Sequence, residues 1–386
     1  MRVFTHARKY GIIYILNILL GGIYMSKRSK KAEENLTPEQ LEARRIKKRK
    51  IRLAVWIPVG ALLLVLVLNV VILPLTGSYA RREHVASYVG DNAYITFDDP
   101  TGLYLSAHRA GGDLAPEETK SAFRLCMEAT DYKVDVLEFD LHLTKDDQLV
   151  LQHDHELGRT SNGEQLFGKG VKVCDLTLAQ LKTVNYGYNF QDPNTHEYIY
   201  RHDMTPAEIA SQEIGIFTLD EILTYVETEA RTDHSMHYVI EIKDKGERGK
   251  KSMDILYNKM IEHGILERTI VGTFNGDITN YIDKEYKGKV TRSAGILEVV
   301  NFYYAFLWGT KLNVDKLGFR VLQIPTGLNG FFDFSTKAFV DYAHTYGIPV
   351  QYWTINDAET VKKLAENGAD CVMTDNPAMA YTALGR

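Results

Sequence analysis

From residue 103 onward, short runs of β-branched and apolar residues alternate with stretches of helical periodicity, and this alternation restricts the fold more than any other feature of the chain. The strand-like runs are 103–107, 136–141, 149–152, 238–242, 269–273, 290–293, 321–324, 350–354 and 371–373. Helical patterns at 121–129, 219–229, 252–263, 335–346 and 358–367 separate many of them. Parallel strands need crossover connections long enough for a helix, so strand–helix alternation predicts a parallel sheet. About eight repeats over roughly 280 residues suit a closed (β/α)8 barrel better than an open doubly wound sheet. No glycine-rich dinucleotide fingerprint follows the first run, which argues the same way. A chain that is 45% hydrophobic and 25% charged is neither disordered, collagen-like nor coiled-coil throughout.

Segment 158–217 breaks the rhythm, being long for a simple connection and rich in Tyr, Asn, Asp and His. It is expected to be an insertion over the barrel mouth, after the second βα region. The domain assignment is therefore a barrel over 101–386 with this insertion inside it.

Ahead of the barrel lies a second constraint. Residues 53–75 form 23 consecutive positions without a charge; at ~1.5 Å per residue a helix of that length reaches about 35 Å, more than the ~30 Å hydrocarbon core of a bilayer. A single transmembrane helix is expected at 53–76, between a basic cytoplasmic segment at 25–52, with a helix start at Thr37-Pro38-Glu39-Gln40, and a spacer at 77–100. Arg44, Arg45, Lys47, Lys48, Arg49, Lys50 and Arg52 precede the span, against Arg81 and Arg82 just after it. The positive-inside rule then keeps the amino terminus cytoplasmic and places everything after residue 80 outside the cell membrane, in a single-pass arrangement. Residues 1–24 are expected to be a leader outside the native product. Gly21-Gly22-Ile23-Tyr24-Met25 can be encoded by a purine-rich ribosome-binding sequence ahead of a bacterial start codon, and Met25-Ser26-Lys27-Arg28 is a natural cytoplasmic beginning.

The overall charge of -5 conceals two opposed halves. Residues 1–82 hold 16 basic and 4 acidic side chains, net +12, and the remainder holds 29 and 46, net -17. So acidic a body has no broad cationic face for nucleic acid, although one local cationic site can hold a phosphate. Three cysteines, Cys126, Cys174 and Cys371, are too few for a disulfide framework and lack metal-knuckle spacing.

In a barrel of this kind the polar residues at the strand carboxyl ends converge on one site. Those ends supply His108 and Arg109, then Glu138 and Asp140, then His153 and Asp154, then Glu241 and Lys243. Glu138 and Asp140 are two apart and face the same way on a strand, so with Glu241 they aim three carboxylates at the mouth. Three hard oxygen donors without cysteine imply Ca²⁺ or Mg²⁺; without a cation their mutual repulsion would raise at least one pKa. Two imidazoles beside such an ion suit proton transfer near neutral pH. Arg109 and Lys243 can neutralise phosphate oxygens, although sulfate or carboxylate substrates would need similar cations.

Ala107-His108-Arg109, Ala115-Pro116-Glu117-Glu118-Thr119, Glu138-Phe139-Asp140, Thr144-Lys145-Asp146, His153-Asp154, Leu157-Gly158-Arg159-Thr160, Thr218-Leu219-Asp220-Glu221, Glu241-Ile242-Lys243, Trp353-Thr354-Ile355-Asn356 and Thr374-Asp375-Asn376-Pro377 together resemble the glycerophosphodiester phosphodiesterase family over residues 103–382. The resemblance implies a (β/α)8 barrel and metal-dependent hydrolysis of glycerophosphodiesters to sn-glycerol 3-phosphate and an alcohol. It implies His108 and His153 as the acid/base pair and Glu138, Asp140 and Glu241 as ligands of Ca²⁺ or Mg²⁺. Arg109 and Lys243 would bind phosphate, Glu117 fills the family's acidic position after proline, and Trp353 would wall the glycerol side. The nucleophile is water or the substrate's own glycerol hydroxyl. Departures are Glu118 for the usual asparagine, Ala110 for a common glycine, Phe217 for proline before Thr218, and Cys371 for glycine. Two other functions fit the same residues: phospholipase D-like action on lysolipids or sphingolipids, and non-catalytic binding of glycerophosphate polymers at the cell surface.

Overall fold

The computed structural model describes residues 37–68, 94, 103–309, 312–328 and 332–386. Two compact units divide at Ile72/Leu73. In the first, a helix spans Pro38–Val67. The Thr37 hydroxyl accepts from the Gln40 N–H and the Gln40 side chain accepts from the Thr37 N–H, a reciprocal cap at the start expected from the sequence. The basic residues fill its first half, and from Leu53 onward it is apolar, with Trp56, Leu62, Leu63 and Leu64 exposed. Among the described residues no helix is long and apolar enough to cross a membrane. The uncharged stretch continues beyond Leu68, outside the described residues, as do the expected leader and all of the expected spacer except Tyr94.

The described residues of the second unit hold eleven strands: β1 Tyr104–Ala107, β2 Val136–Leu143, β3 Leu149–Leu151, β4 His237–Ile242, β5 Thr269–Gly272, β6 Thr291–Arg292, β7 Leu322–Ile324, β8 Gly327–Leu328, β9 Phe332–Asp333, β10 Val350–Tyr352 and β11 Cys371–Thr374, of which β8 and β9 pair only with each other. Eight of these run parallel in the order β6-β5-β4-β2-β1-β11-β10-β7. A parallel bridge between Ser293 and Val321 joins the two ends of that order, and the Ala294 N–H donates to the Val321 carbonyl at 2.9 Å. The result is the closed, TIM-like ring that the alternation predicts.

The run at 149–152 is the exception. Only five residues lie between β2 and β3, too few for a parallel crossover, and β3 instead folds back antiparallel on β2 with Leu141 opposite Leu151. Asp147 at the turn takes φ 62°. This hairpin stands outside the ring and returns the chain to the mouth at His153.

Three helices go beyond the sequence expectations: Gly276–Glu285, Ile296–Trp308 and Pro377–Ala383. Ile296–Trp308 is apolar almost all round, so it carries no 3.6-residue alternation to read. The helices pack on the ring through two buried clusters, one containing Phe123, Phe139, Met253 and Ile278, the other Phe302, Phe306, Phe339 and Leu364. The insertion precedes helix Leu219–Tyr225 and is mostly irregular, with short helices at Gly163–Phe167, Leu178–Leu181 and Pro206–Ser211. It has its own small core, in which Leu157, Val173, Leu181, Val184 and Ile216 pack with Val150 of β3.

Candidate active site

A cavity at the carboxyl ends of the ring strands is lined by His108, Arg109, Glu138, Asp140, His153, Glu241, Lys243 and Trp353, together with Phe274, Gln323 and others. Eight of the nine residues singled out from the sequence therefore share it. Parallel register explains the convergence of the acids: Asp140 on β2 lies directly opposite Glu241 on β4, and Glu138 is two residues below on the same face.

His108 and Arg109 follow β1 in a tight turn in which Arg109, Ala110 and Gly111 take φ 50°, 61° and 85°. Left-handed backbone is free for Gly111 but unfavourable for the two side-chain-bearing residues. The turn aims the Arg109 N–H at Glu138 Oε2, 2.8 Å away. His108 Nδ1 lies 2.6 Å from Asp375 Oδ1, and the other oxygen of Asp375 accepts from the Asn356 amide at 2.6 Å. His153 Nδ1 lies 2.7 Å from Asp154 Oδ1, and Asp154 is held in turn by Arg159. A carboxylate on Nδ1 fixes the proton there, so in both rings Nε2 is left as the nitrogen that can exchange a proton. Asp375 was quoted in the sequence without a role. The signal for one was present, because it directly follows the last ring strand.

The cations are already engaged with the acids. Lys243 Nζ sits 3.3 Å from Asp140 Oδ1 and 3.2 Å from Glu241 Oε1, and Arg109 Nε is 3.8 Å from Asp140. Burial and the neighbouring Asp140 carboxylate push Glu138 up to about 7 and Glu241 up to about 8. Asp140 itself is held low: burial opposes its charge, but Lys243, His153 and Arg109 outweigh burial. Burial also opposes charge on His108, yet the Glu138 carboxylate and the hydrogen bond to Asp375 raise its pKa.

Both Asp140 oxygens are buried and meet the ion-pair contacts of Lys243 and Arg109 without a formed hydrogen bond. A carboxylate in that state, on one cavity with Glu138 and Glu241, is a donor type that suits a hard divalent cation.

Glu117 is the one singled-out residue away from this cavity. Its carboxylate takes Arg159 (Nη1 2.9 Å) and Arg109 (Nη1 3.3 Å) and lines an adjoining groove with Tyr186, Asn189 and Phe190 of the insertion. The insertion contributes nothing to the central cavity among the described residues; its Arg159 reaches the site only through Glu117 and Asp154. The unusual Glu118 is buried, and burial together with Asp140 and Glu117 raises its pKa well above the carboxylate range. Its Oε1 accepts from the Asp140 N–H at 2.8 Å, a bond that the carbonyl of an asparagine could equally accept. Trp353 meets Phe274 edge to face at 5.8 Å between centroids, giving the cavity an aromatic wall in which Phe274 was not foreseen.

The protein family described as the glycerophosphoryl diester phosphodiesterase family matches this chain over residues 108–379. A glycerophosphodiester phosphodiesterase of Bacillus subtilis is 30% identical over 285 residues, which covers 72% of this chain and 85% of its own. Among solved structures, the glycerophosphoryl diester phosphodiesterase domain of a Mycobacterium tuberculosis protein aligns with a TM-score of 0.56 at 18% identity, covering 73% of this chain and 98% of its own. An Oleispira antarctica phosphodiesterase in complex with the product sn-glycerol-3-phosphate aligns with a TM-score of 0.53 at 19% identity, covering 74% and 98%. The two structural likenesses establish the fold.

Proposed function

The chain belongs to the glycerophosphoryl diester phosphodiesterase family and is a phosphoric diester hydrolase acting on glycerophosphodiesters; from that premise we propose how its own residues do so. The substrate phosphate lies against Arg109 and Lys243, whose charges offset its anionic oxygens. Glu138, Asp140 and Glu241 would hold a divalent cation, which would supply positive charge to the phosphate. Nε2 of one imidazole, His108 or His153, takes the proton of the attacking hydroxyl as its oxygen bonds to phosphorus. Nε2 of the other gives its proton to the departing alkoxide as the phosphorus–oxygen bond breaks. Attack by water leaves sn-glycerol 3-phosphate and an alcohol at once, and attack by the glycerol hydroxyl leaves the alcohol and a cyclic phosphate that water then opens to sn-glycerol 3-phosphate. Trp353 packs against the glycerol carbons.

The observation that carries this reading is the pair of imidazoles, each oriented at Nδ1 by its own carboxylate, Asp375 at 2.6 Å and Asp154 at 2.7 Å, and both lining one cavity with the three acids. Replacing His108 or His153 by alanine is expected to lower turnover of glycerophosphocholine by at least ~10²-fold while circular dichroism shows the fold retained. Near-wild-type turnover by either variant removes that histidine from the mechanism.

We further propose that the enzyme is anchored by a helix over 53–76 with its barrel outside the cell membrane. Support comes from the 23 uncharged residues at 53–75 and the basic cluster ahead of them.

A further inference from the structure

Three segments that bring site residues to the mouth each carry one more polar residue just beyond. His142 lies two residues after Asp140, His155 two after His153, and Asp244 immediately after Lys243. One ligand-capable atom of each lies within 4.8 Å of the others. His142 and Asp244 are 1% and 3% exposed, whereas His155 is exposed on a groove that also reaches Asp244.

The hydrogen-bond inventory of His142 is unbalanced. Its Nε2 faces the His153 carbonyl at 3.4 Å, and its Nδ1 faces Asp244 Oδ1 at 3.1 Å. Both partners accept only, and a neutral imidazole has a single N–H. In the neutral ring one of the two contacts therefore has no N–H to fill it, and a cation beside Nδ1 would satisfy that nitrogen and Asp244 together. Asp244 is placed for this: its Oδ2 accepts the Leu143 N–H at 2.7 Å, while Oδ1 is left to the His142 ring. An N–H held by a backbone carbonyl, with the opposite nitrogen turned toward a carboxylate, is how ligating histidines are oriented. The imidazole of His155 completes the group, its ring centroid 4.6 Å from that of His142.

A second grouping shows what a satisfied cluster looks like. Asp220, Glu262 and His263 also come within reach of one another, but the Lys259 ammonium sits 2.8 Å from Asp220 and 2.9 Å from Glu262 and supplies the positive charge. Among the described residues no lysine or arginine bridges His142 and Asp244 in this way, although the Arg248 charge reaches Asp244.

We propose that His142, His155 and Asp244 form a second divalent-metal site, separate from the three-carboxylate set and suited to a nitrogen-preferring ion such as Zn²⁺ or Co²⁺. Two imidazoles and one carboxylate favour such ions over Ca²⁺ or Mg²⁺. The groove carries Asp154 and Glu156 as well as Arg159, Lys172, Lys245 and Arg248, so its charges nearly balance and imidazole coordination must supply the affinity. The bound ion ties together the strand carrying Asp140, the loop carrying His153 and the segment carrying Lys243.

The test is titration of the full chain with Co²⁺ in the presence of saturating Ca²⁺, followed by the visible ligand-field absorption of the metal. One equivalent of nitrogen-ligated Co²⁺ is expected, displaced by Zn²⁺. His155→Ala, an exposed position whose loss leaves the core intact, should weaken it at least about 10-fold, whereas Glu241→Gln should leave the bands in place. In parallel, Zn²⁺ alone should raise the melting temperature of the wild-type chain and not of His155→Ala. Absence of the bands overturns the proposal. So does a signal that survives His155→Ala, or one abolished by Glu241→Gln.

Discussion

At the residue scale, the chemistry of the site depends on which nitrogen of each imidazole carries its proton. Asp375 decides this for His108, and Asn356 holds Asp375 in place. Replacing Asp375 by asparagine keeps the shape but lets the amide donate toward Nδ1, which favours the tautomer with its proton on Nε2. The expected outcome is a fall in kcat of at least ~10²-fold with KM changed little, measured by steady-state kinetics. An equal change in both constants would mean that Asp375 binds substrate instead. The acids offer a second residue-level test. Glu138 near 7 and Glu241 near 8 are partly protonated at neutral pH in the metal-free protein, and a divalent cation requires both ionised. Adding Ca²⁺ to chelator-treated protein at pH 7 in weak buffer should therefore release protons, seen with an indicator dye. Apparent metal affinity should rise with pH up to about 8 and level off above it; a pH-independent affinity would show that these acids are not the ligands. Most of these residues could be read from the sequence, because a strand carboxyl end is a strong placement rule and Glu138, Asp140 and Glu241 sit on three such positions. What escaped was what depends on contact across the ring. Asp375 and His108 are 267 residues apart, and no spacing reveals that one orients the other.

At the scale of elements, strand–helix alternation identifies the ring strands because most are rich in apolar and β-branched residues and bounded by polar turns. It fails where periodicity is silent. β3 looks like its neighbours in composition, and only the five-residue gap before it excludes a parallel crossover. Helix Ile296–Trp308 is hidden by its near-uniform apolarity. One clasp shows how an outer helix is registered on the ring. Glu227, in the turn that ends helix Leu219–Tyr225, takes two bonds from Arg268 at 2.8 and 3.1 Å, and the Tyr238 hydroxyl of β4 donates to the same carboxylate. Burial opposes its charge, but the bonds from Arg268, Tyr238 and His234 outweigh burial and lower its pKa. A lowered folded-state pKa gives stability that is fully present above the unfolded value of ~4.3 and is lost as pH falls through the folded value. Glu227→Gln leaves the Arg268 charge without its partner and is expected to cost about 3 kcal/mol in denaturant unfolding at pH 7. The penalty should shrink as the wild-type carboxyl is protonated below pH 4. A loss under about 0.5 kcal/mol would show that solvent already screens the clasp.

At the scale of the whole molecule, the chain joins a basic, partly apolar amino-terminal part to an acidic enzyme, +12 through residue 82 and -17 from residue 83 onward. The proposed topology would put these charges on opposite sides of a bilayer, consistent with the positive-inside rule, which counts Lys and Arg close to the span and tolerates a large translocated domain whatever its charge. The ring closes through Ser293 and Val321, and Tyr94 packs with Val136, Val239 and Val321. On the proposed topology, anchor and catalyst should therefore separate at a cut that keeps Tyr94. A chain that starts at residue 77 should fold, remain in the supernatant after high-speed centrifugation and hydrolyse glycerophosphocholine with kcat within a few-fold of the full chain. The full chain in bacterial cells should stay with membranes through alkaline carbonate extraction, and protease added outside intact cells should degrade the barrel. Release by carbonate would mean that 53–76 does not span. Membrane retention with a barrel protected from external protease would reverse the orientation and put the hydrolase on the cytoplasmic side, where its substrates would be intracellular diesters.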